Sequence, residues 1–204
     1  MIAIVDYGMG NLHSIVNMLR RSGHPAKLTA NETEIAAATK LILPGVGAFD
    51  TGMQNLAGLA LIDLLAHKVL VDRTPVLGIC LGMQLLFEGS DEGQRPGLGW
   101  VRGRCVRFRF DGADTRLKIP HMGWNDVRPT RRDSLFRDMT ADAGYYFVHS
   151  YHGVCEDDSD VLGRTTHGYE ITAAVQRGNI FGTQFHPEKS HQHGMRLLKS
   201  FAEL

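Results

Sequence analysis

Hydrophobic residues in the first half of the chain form short apolar runs, separated by stretches in which they recur every three or four positions. Runs that are typical of buried strands cover residues 2–5, 26–29, 41–43 and 75–79. Helical spacing predicts one helix from a cap at Asn11 to a stop at Gly23, and others over about 59–70 and over 81–88. This alternation of strand and helix favours a parallel sheet with helices on its faces.

The second half of the chain has a different pattern, in which short alternating segments are bounded by Gly and Asp turns. It predicts strands over 100–110, 117–119, 125–128, 144–148, 161–166, 170–176 and 179–184, and a last helix from Ser190 to Phe201. No linker or repeat separates the halves. We therefore expect one α/β domain over residues 1–204, with a central, mostly parallel sheet, flanking helices and an antiparallel-rich extension.

Composition narrows the classes of function. The 204 residues are 43% hydrophobic and 22% charged, with a formal net charge of zero. A balanced charge argues against a nucleic acid or an anionic membrane surface as the main partner. Three widely spaced cysteines do not form a disulfide framework, and they fit a reducing compartment. With no basic leader and no apolar run of about 18 residues, a cytoplasmic protein is expected.

The segment Gly78-Ile79-Cys80-Leu81-Gly82 lies between a predicted buried strand and a predicted helix, as a nucleophile elbow does. In such a turn the glycines avoid collisions with neighbouring backbone, and the helix start favours a thiolate at Cys80. The amide of Leu81 would then point to a developing oxyanion. The alternative is that Cys80 is a small core residue. Cys105 and Cys155 have no such frame and are expected to be structural.

A thiol nucleophile needs a base and a group that orients the base. Of ten histidines, His186 is the best placed, because it follows a predicted strand and Pro187 delays the next helix. Glu188 lies two positions on, so in an extended segment its carboxylate projects to the same side as the imidazole. A metal site with His191 and His193 has no established ligand spacing.

Other signals point to weaker alternatives. His149 and His152 flank Tyr151, and one of them is expected to line the site or the core. A dinucleotide fingerprint after the first strand is not favoured, because its third glycine position holds His13. Four arginines, at positions 102, 104, 107 and 109, alternate as on a solvated strand face, and a partner or phosphate contact is the alternative interpretation.

Six segments together resemble the class I (triad) glutamine amidotransferases, and they span nearly the whole chain in the right order. They are Asp6-Tyr7-Gly8-Met9-Gly10-Asn11, Pro44-Gly45-Val46-Gly47, Gly78-Ile79-Cys80-Leu81-Gly82-Met83-Gln84, Pro120-His121-Met122-Gly123-Trp124-Asn125, Tyr146-Phe147-Val148-His149-Ser150-Tyr151 and Gln184-Phe185-His186-Pro187-Glu188-Lys189-Ser190.

The resemblance implies a role for each matching residue. Cys80 would be the nucleophile, His186 the general acid and base, and Glu188 the group that orients it. Val46 and Leu81 would supply the oxyanion amides. Residues implied in substrate binding are Gly45, Gly47, Gln84, Ser150 and Tyr151, and those implied at a partner interface are Asn11, Trp124, Tyr146 and Lys189.

The resemblance also implies a reaction and a partner. Glutamine would be hydrolysed to glutamate and ammonia through a thioester, without a metal or organic cofactor, and ammonia would pass into a (β/α)₈-barrel synthase subunit. Within the family, the motifs favour a glutaminase that serves histidine biosynthesis. The alternatives are the same chemistry with another acceptor, as in surface-sugar amidation, a binding module without activity, and a stand-alone cysteine hydrolase.

Overall fold

A large sheet with helices on both faces organises the chain. The computed structural model describes residues 1–110 and 117–204. Its strands are β1 (Ile2–Val5), β2 (Ala26–Thr29), β3 (Lys40–Gly45), β4 (Val76–Cys80), β5 (Gly103–Arg107), β6 (His121–Asp126), β7 (Arg128–Pro129), β8 (Gly144–His149), β9 (Tyr151–Cys155), β10 (Val161–His167), β11 (Tyr169–Arg177) and β12 (Ile180–Thr183). Its α-helices are α1 (Leu12–Arg21), α2 (Glu32–Ala36), α3 (Phe49–Gly58), α4 (Leu61–Ala66), α5 (Leu81–Leu85) and α6 (His191–Ala202).

Among the residues that the structure describes, the main sheet has eight strands in the order β2-β1-β3-β4-β12-β11-β10-β7. Pairing is parallel from β2 to β12 and antiparallel from β12 to β7. The antiparallel pairs β5–β9 and β6–β8 form two small additional sheets. The predicted α/β class, with a mostly parallel centre and an antiparallel-rich extension, is therefore confirmed.

Alternating side chains of β1 enter two separate cores. Ala3 and Val5 pack into the core on one face, which α3, α4 and α5 cover. Ile2 and Ile4 pack into the core on the other face, together with buried residues of α1 and α6. Both faces of the central strands are thus apolar, which explains why their sequence is a continuous hydrophobic run.

The register of the central strands brings distant segments to one edge of the sheet. Gly45 pairs with Cys80 at the end of β3 and β4, and Ile79 pairs with Thr183 at the end of β4 and β12. Because these strands are parallel, their carboxyl ends lie side by side. The loop after β3, the turn after β4 and the segment after β12 therefore meet there.

The helices differ from the sequence prediction over residues 49–71. The predicted helix over 59–70 begins only at Leu61, because Ala60 has a left-handed φ of 54°, and it continues through a π-helical turn, His67–Val71. The whole of α3 was not predicted. The predicted helix over 81–88 ends at Leu85, whereas α6 closely matches the predicted last helix.

α1 begins directly after Asn11, which occupies the N-cap position as predicted, but the Asn11 side chain makes no capping hydrogen bond. The stop is better supported, since Gly23 follows the helix with a φ of 83°.

The small strands also differ from the prediction. The strand predicted over 100–110 is shortened to β5, and residues 117–119 form no strand. The strand predicted over 125–128 falls on the end of β6 and the start of β7, and β9 was not predicted. These segments are half-exposed, so the alternation that marks a strand is weaker in them.

Within the described residues, no single helix is long and apolar enough to cross a membrane. Two consecutive helical segments, Phe49–Gly58 and Leu61–Val71, are long and apolar enough only when they are taken together, and the chain bends by 96° between them.

Candidate active site

Cys80 stands at a strained turn between β4 and α5. Its backbone has φ 54° and ψ −109°, a conformation that side-chain-bearing residues rarely adopt. A Cβ added at Gly78 would lie 2.6 Å from the carbonyl oxygen of Gly82, and one added at Gly82 would lie 1.7 Å from the carbonyl oxygen of Leu43. Only glycine fits at either position, which is the steric arrangement of a nucleophile elbow.

Cys80 opens into a cavity of about 300 Å³ at the carboxyl edge of the sheet. The predicted site residues that line this cavity are Val46, Gly47, Cys80, Leu81, Gln84, Ser150, Tyr151 and His186. Two others lie behind the lining: Gly45 packs against Leu81, and Glu188 contacts the far side of the His186 ring. The fold thus gathers residues that are more than a hundred positions apart in the chain.

His186 and Glu188 form a buried pair. Nδ1–H of His186 donates to Oε1 of Glu188 over 2.7 Å, and the two side chains are 1% and 2% exposed. A carboxylate accepts only, so this contact fixes the proton of a neutral ring on Nδ1. Nε2 makes no hydrogen bond to any described residue and remains available on the side of the ring that faces Cys80 and the cavity.

The charge balance around His186 favours its protonated form. Burial by itself lowers the pKa of the imidazole, but the interactions with Cys80 and Glu188 outweigh burial and raise the pKa of His186 to about 10. A protonated imidazole beside a thiolate is the ion pair on which cysteine nucleophiles depend.

The backbone around His186 is held from two sides. Its N–H donates to the carbonyl of Tyr146 over 2.9 Å, and its carbonyl accepts from the hydroxyl of Ser190 over 2.6 Å. Pro187 starts a 3₁₀ turn, Pro187–Lys189, so Glu188 lies in a turn and not in the extended segment that the sequence suggested. The turn still returns its carboxylate to the ring.

In the segment Pro44-Gly45-Val46-Gly47, the first two residues end strand β3 and the last two line the cavity. The buried hydroxyl of Tyr7 donates to the carbonyl of Pro44 over 2.5 Å, whereas Val46 is 42% exposed and Gly47 has a φ of 113°. A Cβ on Gly45 would lie 2.6 Å from the Tyr7 hydroxyl. Burial, with a smaller contribution from Cys80, raises the pKa of Tyr7, so its hydroxyl stays a donor.

Two further residues at the cavity were not found from the sequence. Nε2 of Gln184 lies 3.8 Å from the Cys80 sulfur, and its Oε1 accepts from Nε2 of Gln84 over 3.1 Å. Glu92 adds a carboxylate to the lining, and burial raises its pKa. Gln184 is the first residue of one of the six segments and could have been suspected, but Glu92 lies in an irregular stretch without periodicity.

The predicted interface residues Trp124, Tyr146 and Lys189 form one surface cluster. Trp124 is 51% exposed and lies against Tyr146, with ring centroids 6.1 Å apart. Nζ of Lys189 is 5.6 Å from the centre of the Tyr146 ring, and His191 stacks on Trp124 at 5.3 Å. Asn11 is exposed at the start of α1, which packs against the Pro187–Lys189 turn.

Metal ligation finds no support in the part of the chain that the structure describes. Across residues 1–110 and 117–204, no three His, Cys, Asp or Glu side chains are arranged to hold a metal ion.

The fold, together with a cysteine, a histidine and a glutamate at one cavity, points to a class of proteins, and a comparison with known sequences identifies that class. The profile of the family described as "Glutamine amidotransferase class-I" matches residues 3–204, and the chain belongs to that family.

Relatives within the family extend over the whole chain. The chain is 50% identical over 201 residues to "Imidazole glycerol phosphate synthase subunit HisH 2" of Methanococcus maripaludis, covering 98% of both sequences. It is also 50% identical over 204 residues to the protein of the same name in Pseudomonas aeruginosa, covering 100% of both.

Solved structures agree on the fold. A crystal structure of a glutamine amidotransferase superposes with a TM-score of 0.77 at 17% identity and covers 100% of both chains. The structure of PurLQS from Thermotoga maritima gives a TM-score of 0.69 at 20% identity, covering 99% of this chain and 97% of the matched chain.

Proposed function

We propose that the chain is the glutaminase subunit of an imidazole glycerol phosphate synthase, in which Cys80, His186 and Glu188 hydrolyse glutamine. The observation that carries this proposal is the meeting of three features in one cavity. These are a strained elbow that presents Cys80, a buried His186–Glu188 pair, and a His186 Nε2 that has no hydrogen-bond partner among the described residues. Each is what acyl transfer by a thiol requires.

In the first half of the reaction, the Cys80 thiolate attacks the carboxamide carbon of glutamine and a C–S bond forms. The negative charge moves to the carboxamide oxygen, which accepts hydrogen bonds from the backbone N–H groups of Val46 and Leu81. His186 then gives the proton on Nε2 to the leaving nitrogen. The C–N bond breaks, ammonia leaves, and a glutamyl thioester remains on Cys80.

In the second half, His186 takes a proton from water at Nε2 while the water oxygen bonds to the thioester carbon. The C–S bond then breaks with its electron pair on sulfur, which releases glutamate and restores the thiolate beside the protonated His186. Glu188 holds the ring throughout and stabilises its positive charge. Gly45 and Gly47 flank Val46 and leave its peptide free to turn towards the oxyanion.

Glutamine recognition falls to other polar residues of the cavity lining. Gln84, Ser150 and Tyr151 offer polar groups there, and the Glu92 carboxylate suits the α-ammonium group of the substrate. Amide, hydroxyl and carboxylate groups in a cavity of this size fit one amino acid, not a polymer.

The released ammonia needs an acceptor, and the curated relatives are named as synthase subunits. We place the partner, a (β/α)₈-barrel cyclase, on the cluster of Trp124, Tyr146 and Lys189. Aromatic rings beside a cation are typical of interface hot spots. Tyr146 also bonds the backbone of His186, so docking at this cluster acts close to the base.

The test uses the chain together with the barrel subunit from the same organism. Replacing Cys80 by Ala should abolish product formation from glutamine, while ammonium salts still support the partner's reaction. If the Cys80→Ala variant still uses glutamine, the assignment of the nucleophile is refuted. If no barrel subunit of this synthase forms a complex with the chain, the pathway is refuted but the chemistry is not.

A further inference from the structure

A chain of hydrogen bonds runs behind the cavity wall, from β6 to the segment that carries Ser150 and Tyr151. Nδ2 of Asn125 lies 3.1 Å from Nε2 of His121, and Nδ1 of His121 lies 3.0 Å from Nε2 of His149. Nδ1 of His149 lies 2.8 Å from the carbonyl oxygen of Tyr151. The triad mechanism uses none of these three side chains.

The two ends of this chain determine the position of every proton in it. A carbonyl oxygen only accepts, so His149 carries a proton on Nδ1. At the other end, Asn125 Nδ2 donates to the carbonyl of Thr166 over 2.8 Å while Oδ1 accepts from the N–H of Asp126 over 2.9 Å, which fixes the orientation of the amide. Nε2 of His121 must therefore accept, and its proton is on Nδ1.

The middle contact follows from the ends. His121 donates from Nδ1, so Nε2 of His149 accepts and both rings are neutral. The surroundings favour this state, because burial lowers the pKa of His121 to about 4 and that of His149 to about 3. Three donors thus point in one direction, from Asn125 to the Tyr151 carbonyl.

The Tyr151 carbonyl receives a second hydrogen bond from within the cavity lining. Nε2 of Gln84 donates to it over 2.9 Å, so Gln84 and His149 hold the same oxygen. His149 lines the cavity itself, and its neighbour Ser150 stands between it and Tyr151. Two donors on one carbonyl restrict the peptide that follows Tyr151, and with it the backbone from which the Tyr151 and the adjacent Ser150 side chains project.

We propose that Asn125, His121 and His149 form a positioning network of fixed tautomers that holds the Ser150–Tyr151 segment in the geometry that binds glutamine. This inference rests on the proposed glutaminase function. The three residues act through the Tyr151 carbonyl and do not touch the reacting atoms, so the network governs substrate affinity more than the chemical step.

The kinetic test replaces His121 by Phe in the complex with the barrel subunit. The ring keeps its stack between Phe147 and His167, but the donor to His149 is lost. We expect the KM for glutamine to rise about tenfold while kcat changes by less than about threefold, because a buried acceptor is left unpaired. The matched control is His152→Phe, which replaces another buried imidazole by a phenyl ring; Nε2 of His152 bonds the Tyr169 hydroxyl and not Tyr151. Its KM should stay near the wild-type value.

A second measurement needs no variant. Nitrogen-15 NMR of the imidazoles in the full wild-type chain should show His121 and His149 neutral at pH 7, both protonated on Nδ1. Protonation on Nε2 at His149 overturns the proposal, as does an unchanged KM in His121→Phe or an equal rise in the His152→Phe control. If the His121→Phe variant does not fold, Asn125→Ala is used in its place, and its KM for glutamine should rise about threefold. An unchanged KM in Asn125→Ala also overturns the proposal.

Failure of the proposed function gives a different result. A wild-type complex that does not hydrolyse glutamine, yet shows both Nδ1 tautomers, refutes the glutaminase assignment and leaves the hydrogen-bonded chain in place. Alkylation of Cys80 by iodoacetamide does not need the substrate-binding segment. Its rate should be the same in His121→Phe and wild type, and a large fall would mean that His121 acts on the nucleophile instead.

Discussion

Replacing Glu188 by Gln removes the negative charge from the His186–Glu188 pair and leaves the size and shape of the side chain nearly unchanged. In the native chain the carboxylate accepts Nδ1–H of His186 over 2.7 Å, with both side chains buried. In the Glu188→Gln variant, the side-chain amide oxygen can accept the same hydrogen from His186, but this hydrogen bond is no longer assisted by charge. The amide nitrogen of the new side chain takes the position of Oε2, which has no partner among the described residues.

The size of the effect follows from these contacts. Hydrogen bonds to a charged group contribute about 1.5–3 kcal/mol and neutral ones about 0.5–1.5 kcal/mol. A difference of about 1.4 kcal/mol corresponds to a tenfold change in rate. We therefore expect the Glu188→Gln variant to lose about tenfold in kcat. Removal of the nucleophile in Cys80→Ala should cost at least about a thousandfold.

The pH profile gives an independent readout of the same change. The pKa of His186, now raised to about 10, should fall by roughly 1–3, as is typical when a neighbouring opposite charge is removed. Imidazolium loses its proton as pH rises through this pKa. The alkaline limb of kcat/KM should therefore move to lower pH in Glu188→Gln.

The assay measures glutamate release from pH 6 to pH 10.5 in the complex with the barrel subunit, together with the melting temperature of each variant. Glu170→Gln is the matched control, because Glu170 is an exposed carboxylate that pairs with Arg128 over 2.8 Å, on another strand. An unmoved alkaline limb would show that Glu188 does not set the charge of His186. A loss as large as that of Cys80→Ala would show that Glu188 does more than orient the base.

Three further changes test other parts of the site. Tyr7→Phe removes the hydroxyl that holds the Pro44 carbonyl and should lower kcat about tenfold at a similar KM, since misplacement near the oxyanion slows the reaction. The control Tyr145→Phe, at a buried tyrosine outside the cavity lining, should leave kcat unchanged. Equal kinetics in the two variants would show that Tyr7 does not support the loop. Glu92→Gln should raise the KM for glutamine about tenfold, because the α-ammonium group loses its counter-charge, and binding data with an unchanged KM would contradict that role. Lys189→Ala should weaken assembly with the barrel subunit, or the coupling of glutamine use to synthesis, more than it slows basal hydrolysis. If a titration of the two subunits shows unchanged affinity and coupling, Lys189 does not belong to the interface.

The parts of the fold that were predicted from sequence are those where burial dominates the pattern. The run at residues 2–5 became β1 at the predicted bounds, and α6 differs from its prediction by one residue at each end. By contrast, α3 contains Gly52 and Gly58, which weaken a helical pattern, and a Cβ on Gly52 would lie 3.1 Å from Cδ1 of Leu85, which packs closely there. Tertiary packing decided this helix, and local propensity did not.

The candidate site divides in the same way. Cys80 and His186 are 106 positions apart, but the sequence placed each at the end of a strand, and the parallel pairing of β4 and β12 brings those ends together. Tyr7 and Gln184 belong to two of the six segments, but no role could be assigned to them, or to Glu92, in this way. Their roles depend on which side chains face each other across loops, and no periodicity records that information.

The central claim is that Cys80 is the thiol that glutamine acylates, and covalent trapping tests it most directly. The complex with the barrel subunit would be treated with an electrophilic glutamine analogue, and the modified residue identified by mass spectrometry of the digested chain. We predict a single adduct, on Cys80, that excess glutamine prevents and that leaves the structural thiols Cys105 and Cys155 unmodified. No adduct, or one on either of the other two cysteines, would contradict the account.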